Sequence, residues 1–321
     1  MTRVATHAGY QSALLNLMSA QSRAQQAQER IASEKIATDM AGYGRSAEQL
    51  TTLTATQERL EGFIGAGQSA AARLDAQDLA MGRIYEGGTG AREAIANSLA
   101  AGGVTNLMTE LQLHYQTIQG GLNAQHQGSY LFGGGNSDDA PATASTMADL
   151  AAAPSTASTF ANDTLKQKSR IDENTLVETG FVASELGGGL TDVFRTIQSY
   201  QNGNAVVIDG VTYTPAAPGS ITGKPTAEVE AFLKATLKAL DAANTEVTNQ
   251  TAKNGLVQNQ VKSALDAHES QKIALEKLMH DKTGYDPAQA VTDLQMAQVA
   301  IQASAQVINT LRSTSLLDLL R

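Results

Sequence analysis

The chain has 321 residues, of which 42% are hydrophobic but only 4% aromatic, with no Trp, no Cys and a formal net charge of −9. The acidic balance argues against nucleic-acid binding, which needs clustered Lys and Arg, and the lack of Cys removes disulfides, thiolate catalysis and zinc–thiolate sites. No stretch approaches the ~20 apolar residues of a membrane span, and Met1-Thr2-Arg3-Val4-Ala5-Thr6-His7 lacks the apolar run of a cleaved secretory signal, so export would use another route.

Between Tyr10 and Lys35, Leu14, Leu17, Met18, Ala24, Ala27 and Ile31 recur at three- and four-residue spacing with no Pro or Gly among them, which predicts a helix. Thr38 to Arg45, with Gly42 and Gly44 around Tyr43, reads as a joint. Helical spacing resumes at Ser46 and continues through Leu50, Leu53, Leu60, Phe63, Leu74, Met81 and Ile84. Gly62, Gly65 and Gly67 weaken that run, each by about 1 kcal/mol against Ala, and close helix contact is the expected reason for them. Glu86-Gly87-Gly88-Thr89-Gly90 reads as a turn or a flexible stretch, followed by helices from Ala91 to Ala100 and from Thr105 to Gln125.

The character changes at Tyr130-Leu131-Phe132-Gly133-Gly134-Gly135, after which turn residues dominate to about Pro225. Ala205 to Thr214 carries two β-branched runs around Asp209-Gly210, a hairpin signature. Strands are expected near Ile171 and between Val177 and Val182, and a helix from Leu190 to Tyr200. Thr226 is an N-cap candidate for a helix running to His280, on the order of 80 Å long. Lys282 to Pro287 is a second joint. Beyond it Leu294, Ala297, Ile301, Ser304, Ala305, Ile308 and Leu311 form a heptad-like seam.

The expected fold is mainly α: an elongated helical bundle or coiled coil formed by the N- and C-terminal segments, with an inserted small β-rich (α+β) domain. The corresponding divisions are 1–42 with 285–321 for a terminal coiled-coil assembly domain, 43–135 with 226–284 for a helical rod, and 136–225 for an exposed inserted domain. A thin apolar stripe without a core of its own must find a partner helix. The candidate assembly residues are therefore Leu14, Leu17, Met18, Ile31, Leu294, Ile301, Ile308, Leu311, Leu316 and Leu317. With their stripes uncovered, the terminal helices are expected to be loosely ordered before assembly and to fold on binding.

Conventional chemistry finds little support. His7, His114, His126, His268 and His280 lack metal-ligand spacing, and His268 sits near an apolar stripe where packing is the simpler role. Asp138-Asp139 and Asp172-Glu173 read as solvated loop charge. Gly133-Gly134-Gly135 and Gly187-Gly188-Gly189 lack the Lys-Ser/Thr of a phosphate loop. No catalytic residue, cofactor or metal is assigned, and the chain is not expected to be an enzyme.

Three segments resemble the bacterial flagellin superfamily, which includes the flagellins and hook-associated protein 3. Ile31-Ala32-Ser33-Glu34-Lys35-Ile36 before Asp39 is similar to that family's turn after its first helix, with Glu34 where many members carry Gly. Gly128-Ser129-Tyr130-Leu131-Phe132-Gly133-Gly134 resembles the element leading into the exposed domain, and Gln289 to Ala305 with Ser315-Leu316-Leu317-Asp318-Leu319-Leu320 resembles the C-terminal helix. The opening Arg3-Val4-Ala5-Thr6 and the ending Ser315 to Leu319 stand nearer the junction branch than the filament branch.

The resemblance implies an extracellular structural subunit of the flagellum, a homo-oligomer in a helical tube that joins hook to filament. Adjacent hook-associated protein and flagellin would be its neighbours. It also implies type III export without a cleaved signal peptide and an export chaperone on the C-terminal helix, with no nucleic-acid or membrane partner. A filament-forming flagellin is the alternative, and a secreted adhesin or enzyme using residues 136–225 a weaker one.

Overall fold

The computed structural model describes the backbone of residues 2–319 and the side chains of residues 8–312. The described residues form seven α-helices: α1 Thr2–Ser33, α2 Ala47–Ala100, α3 Leu107–Leu122, α4 Met147–Ala152, α5 Ala183–Gln201, α6 Ala227–Thr283 and α7 Pro287–Leu319. Three antiparallel pairs complete them: β1 Gln125–His126 with β2 Ser129–Tyr130, β3 Lys168–Arg170 with β4 Leu176–Glu178, and β5 Val206–Ile208 with β6 Val211–Tyr213. The protein is thus mainly α with small strand pairs in its middle. Two compact units divide the chain, Met1–Leu60 with Ser270–Arg321, and Glu61–Glu269.

In the central unit, α2, α3, α5 and α6 share one hydrophobic core. Its fully buried members include Met81, Ile84, Ile95, Leu111, Ile118, Phe194 and Phe232. The few aromatics are concentrated here: Tyr200 stacks on Phe232 at 3.9 Å between ring centroids, and Tyr115 lies 5.6 Å from Phe194. Such pairs add to simple area burial, which helps a chain so poor in rings.

The turn expected at Glu86–Gly90 does not form, because α2 runs through it without a break. Packing explains the glycines instead. A Cβ on Gly87 would lie 2.5 Å from Ile118 Cγ1, and one on Gly88 only 2.0 Å from Asn244 Oδ1. Helices α3 and α6 approach α2 closely enough that no side chain fits, and the contacts offset the intrinsic cost of Gly in a helix. Of the earlier trio, Gly67 follows the same rule, with Leu265 Cδ2 2.7 Å from the added carbon; Gly62 and Gly65 face open space.

The Tyr130–Gly134 element is where the chain leaves the helices. Leu131 and Phe132 are buried in the shared core. The Leu131 N–H donates to the Ala124 carbonyl at 2.9 Å, and the Ala183 N–H donates to the Phe132 carbonyl at 2.9 Å, fastening the element to the start of α5. From α2, Arg73 Nη2 donates to the Leu131 carbonyl at 3.0 Å. Burial lowers the Arg73 pKa from its ordinary value.

The inserted segment holds its own local signals. Asp209 and Gly210 both take positive φ, 51° and 77°, and pair Ile208 with Val211. This is the geometry a two-residue hairpin with Asp-Gly requires. Thr146 caps α4 by a reciprocal capping box with Asp149. Thr226 accepts from the Val229 N–H at 3.4 Å at the start of α6.

Tyr115 ties α3 to this segment through its hydroxyl, which donates to the Ala144 carbonyl at 2.7 Å. Burial, and then the Asp149 charge, raise its pKa above the ordinary 10.0. A raised folded pKa means that the bond contributes fully below pH ~10 and is lost as pH rises through the folded value. Tyr115→Phe is expected to cost about 1–3 kcal/mol in urea unfolding at pH 7. The difference from the parent should shrink only in strongly alkaline buffer.

Candidate assembly surface on the terminal helices

The terminal unit is organised at its two joints. The Ile36 N–H donates to the Thr283 carbonyl at 2.8 Å and the Tyr285 N–H donates to the Glu34 carbonyl at 3.0 Å, around an antiparallel bridge between Lys35 and Gly284. The Arg30 Nε donates to the Ile36 carbonyl at 3.1 Å, and its guanidinium stands 5.2 Å from the Tyr285 ring centroid. The Tyr285 hydroxyl donates to Asp293, which raises the phenol's pKa above its ordinary value. A 3₁₀ turn, Met40–Ser46, follows the first joint, with Asp39 accepting from the Gly42 N–H at 2.8 Å.

Because α1 ends at one joint and α7 begins at the other, the two helices pack antiparallel. The buried residues between them are small. Ala13, Ala20, Ala24 and Ala27 line α1, and Ala290 and Ala297 line α7. Leu17, Leu294, Ile301, Ser304, Ile308 and Leu311 are half-buried along the same stripes. Spacing of seven residues within each set is the coiled-coil seam period.

Alanine lets two helices approach closely but covers little area, so the larger side chains are left outside. Leu15 is 65% exposed and Met18 59% on α1, and Met296 is 60% and Val299 64% on α7. Tyr10, Leu14, Ile31, Val291 and Val307 are exposed as well. Eight of the ten candidate residues therefore separate into two groups. Leu17, Leu294, Ile301, Ile308 and Leu311 lie on the half-buried stripes, while Leu14, Met18 and Ile31 point outward. The side chains of Leu316 and Leu317 lie outside the described residues. Among the seam residues, Ala13, Ala20 and Ala290 were not part of the sequence-derived stripes, although their seven-residue spacing is readable once alanine is counted as apolar.

The other candidate features have structural occupations. The Asp163 carboxylate accepts from the Gly135 N–H at 2.7 Å and the Leu165 N–H at 2.8 Å, so a protein carboxylate already fills the glycine-rich turn. Gly187–Gly189 lie inside α5. His268 is buried and stacks on Phe63 at 5.8 Å, and its Nε2–H donates to the Ile171 carbonyl at 2.8 Å. No group of three or more His, Asp or Glu suited to a metal occurs among the described residues. No helix among them is long and apolar enough to cross a membrane.

The described chain thus combines a pair of antiparallel terminal helices with a separate helical unit that carries an inserted segment. Residues 237–320 match the bacterial flagellin C-terminal helical region. Among solved structures, the fold is similar to a protein described as a flagellar hook-associated protein of Vibrio parahaemolyticus (18% identity, 74% of this chain and 97% of that chain, TM-score 0.58). It is also similar to FlgL of Bacillus cereus (14% identity, 72% of this chain and 98% of that chain, TM-score 0.50). The fold is that of flagellar hook-associated proteins. No curated protein sequence matches the chain.

The first joint holds a non-glycine residue in the left-handed region. Glu34 adopts φ 55° while its carbonyl accepts from Tyr285, a left-handed conformation that disfavours a side chain. Glu34→Gly is expected to stabilise the terminal unit by about 0.5–1 kcal/mol, and Glu34→Val to destabilise it. Chemical denaturation followed by circular dichroism measures both.

Proposed function

We propose that this chain is a structural subunit of the bacterial flagellum, an extracellular junction protein that joins hook to filament. The observation that carries the reading is the band of uncovered apolar residues on paired terminal helices, Leu14, Leu15 and Met18 with Met296, Val299 and Val307, in a chain whose C-terminal region is flagellin-like. The fold likeness to hook-associated proteins favours the junction over the filament itself.

In this reading α1 and α7 form one ligand for neighbouring copies, and for hook-associated protein on one side and flagellin on the other. The seam of small residues supplies limited burial, so the pair opens locally in a single chain and gains order when neighbours cover its outer face. The exposed loops and hairpins of residues 136–225, rather than the core-packed α5, would face solvent, where variation costs assembly little. An export chaperone would cover the C-terminal helix beforehand.

Met18→Glu and Met296→Glu are expected to leave monomer helicity unchanged, since exposed substitutions usually cost within ~0.5 kcal/mol. Each should reduce co-assembly with hook and filament components by at least about tenfold, because a charge is then desolvated at the contact. Sedimentation of mixed components reads this directly.

A deletion strain distinguishes the roles by electron microscopy. Complete hooks on the cells with filament material shed into the medium are expected. Loss of all filament protein would overturn the junction reading and favour a flagellin.

A further inference from the structure

The seam between α1 and α7 poses a register problem. Counted from the two joints, Ala27, Ala20 and Ala13 match Ala290, Ala297 and Ser304 at successive heptads, with Ala24 and Leu17 matching Leu294 and Ile301 between them. Slide one helix by seven residues and the small residues still meet small ones: Ala27 meets Ala297 and Ala20 meets Ser304. The intervening layers become Ala24 with Ile301 and Leu17 with Ile308, almost the same pairs. Such a seam fixes which faces meet but barely distinguishes registers about 10 Å apart.

Specific polar contacts occur at one end. Asp293 is the single charged residue between Pro287 and Thr310, and it accepts from Tyr285. Tyr285 in turn carries the Arg30 guanidinium at 5.2 Å, and Arg30 also donates to the Ile36 carbonyl at 3.1 Å. The Tyr285–Asp293 and Arg30–Ile36 bonds are each local and would survive a one-heptad slip; the slip would separate Arg30 from Tyr285 and break the backbone bonds of Ile36 with Thr283 and of Tyr285 with Glu34. We infer that the Arg30–Tyr285 contact is the register-determining side-chain contact of the terminal pair, with the Ile36 carbonyl holding Arg30 and Asp293 holding Tyr285 in place. A polar contact at a defined position is a familiar way for an otherwise repetitive coiled coil to choose one alignment. The inference concerns pairing within one chain and stands apart from what the outer surface binds.

The chain has no native Cys, so disulfide trapping can read the register without background. In the full-length chain at high dilution, Ala20→Cys with Ala297→Cys reports the aligned register, and Ala27→Cys with Ala297→Cys reports the slipped one. The aligned pair is expected to oxidise within the monomer, with the slipped pair a small minority. Adding Arg30→Ala should raise the slipped product about threefold, the weight of one cation–π contact. Helicity by circular dichroism should stay within a few per cent of the parent, and Arg23→Ala should change neither product.

A merely structural role would lower both products together. If Arg30→Ala loses helicity, Tyr285→Leu, which removes the ring beneath Arg30, serves in its place. A slipped product that stays rare while the aligned one persists overturns the inference, as does failure of the aligned pair to form in the parent. Neither result bears on whether the outer face assembles with hook or filament, which the co-sedimentation measures.

Discussion

Close antiparallel packing of α1 on α7 through alanine is the constraint on which the terminal unit depends. Small residues at the seam let two backbones approach, and the same choice denies the pair a core of large side chains. Leucine, methionine and valine are then displaced to the outside, where water is a poor neighbour. One decision about residue size thus makes a helix pair and, in the same step, leaves that pair needing further surfaces.

The central unit solves helix pairing differently. Its glycines in α2 admit Ile118 and Asn244 where a methyl group would clash, and its few rings cluster in one place. Polar bonds such as Asn254 Nδ2 to the Leu74 carbonyl at 3.0 Å give the contacts direction. A continuous core also extends into the inserted segment through Leu131, Phe132, Met147 and Leu150. Stability is therefore concentrated where large residues are buried, while the uncovered apolar residues of the terminal helices are available for partners. That distribution suits a subunit whose central part must persist alone and whose ends complete themselves in an assembly.

Residues 237–320 match the flagellin C-terminal helical region, and the fold likeness to a hook-associated protein extends over 74% of the chain. The features that first suggested chemistry have ordinary occupations: a carboxylate fills the glycine turn and a carbonyl accepts from the buried imidazole. What distinguishes the molecule is surface left uncovered, on helices whose alignment is held from one end.

Periodicity and turn chemistry were enough to read the mainly helical class, the two joints, the Asp209-Gly210 hairpin and the helix after Thr226, because each is governed by residues close in sequence. The resemblance at Tyr130–Gly134 likewise needed only the local string. Periodicity could not show that α2 runs through Gly87, Gly88 and Gly90, since the compensating contacts come from α3 and α6. Nor could it separate Leu17 from Leu14 or Leu15 as half-buried or exposed, because hydrophobicity is a property of the residue and facing is a property of the pair. Alanine, weak in any hydrophobic stripe, became the seam only once the joints brought α1 and α7 together. Local sequence determined what could form a helix; tertiary packing decided which side of each helix was covered, since burial depends on the neighbour and not on the residue alone.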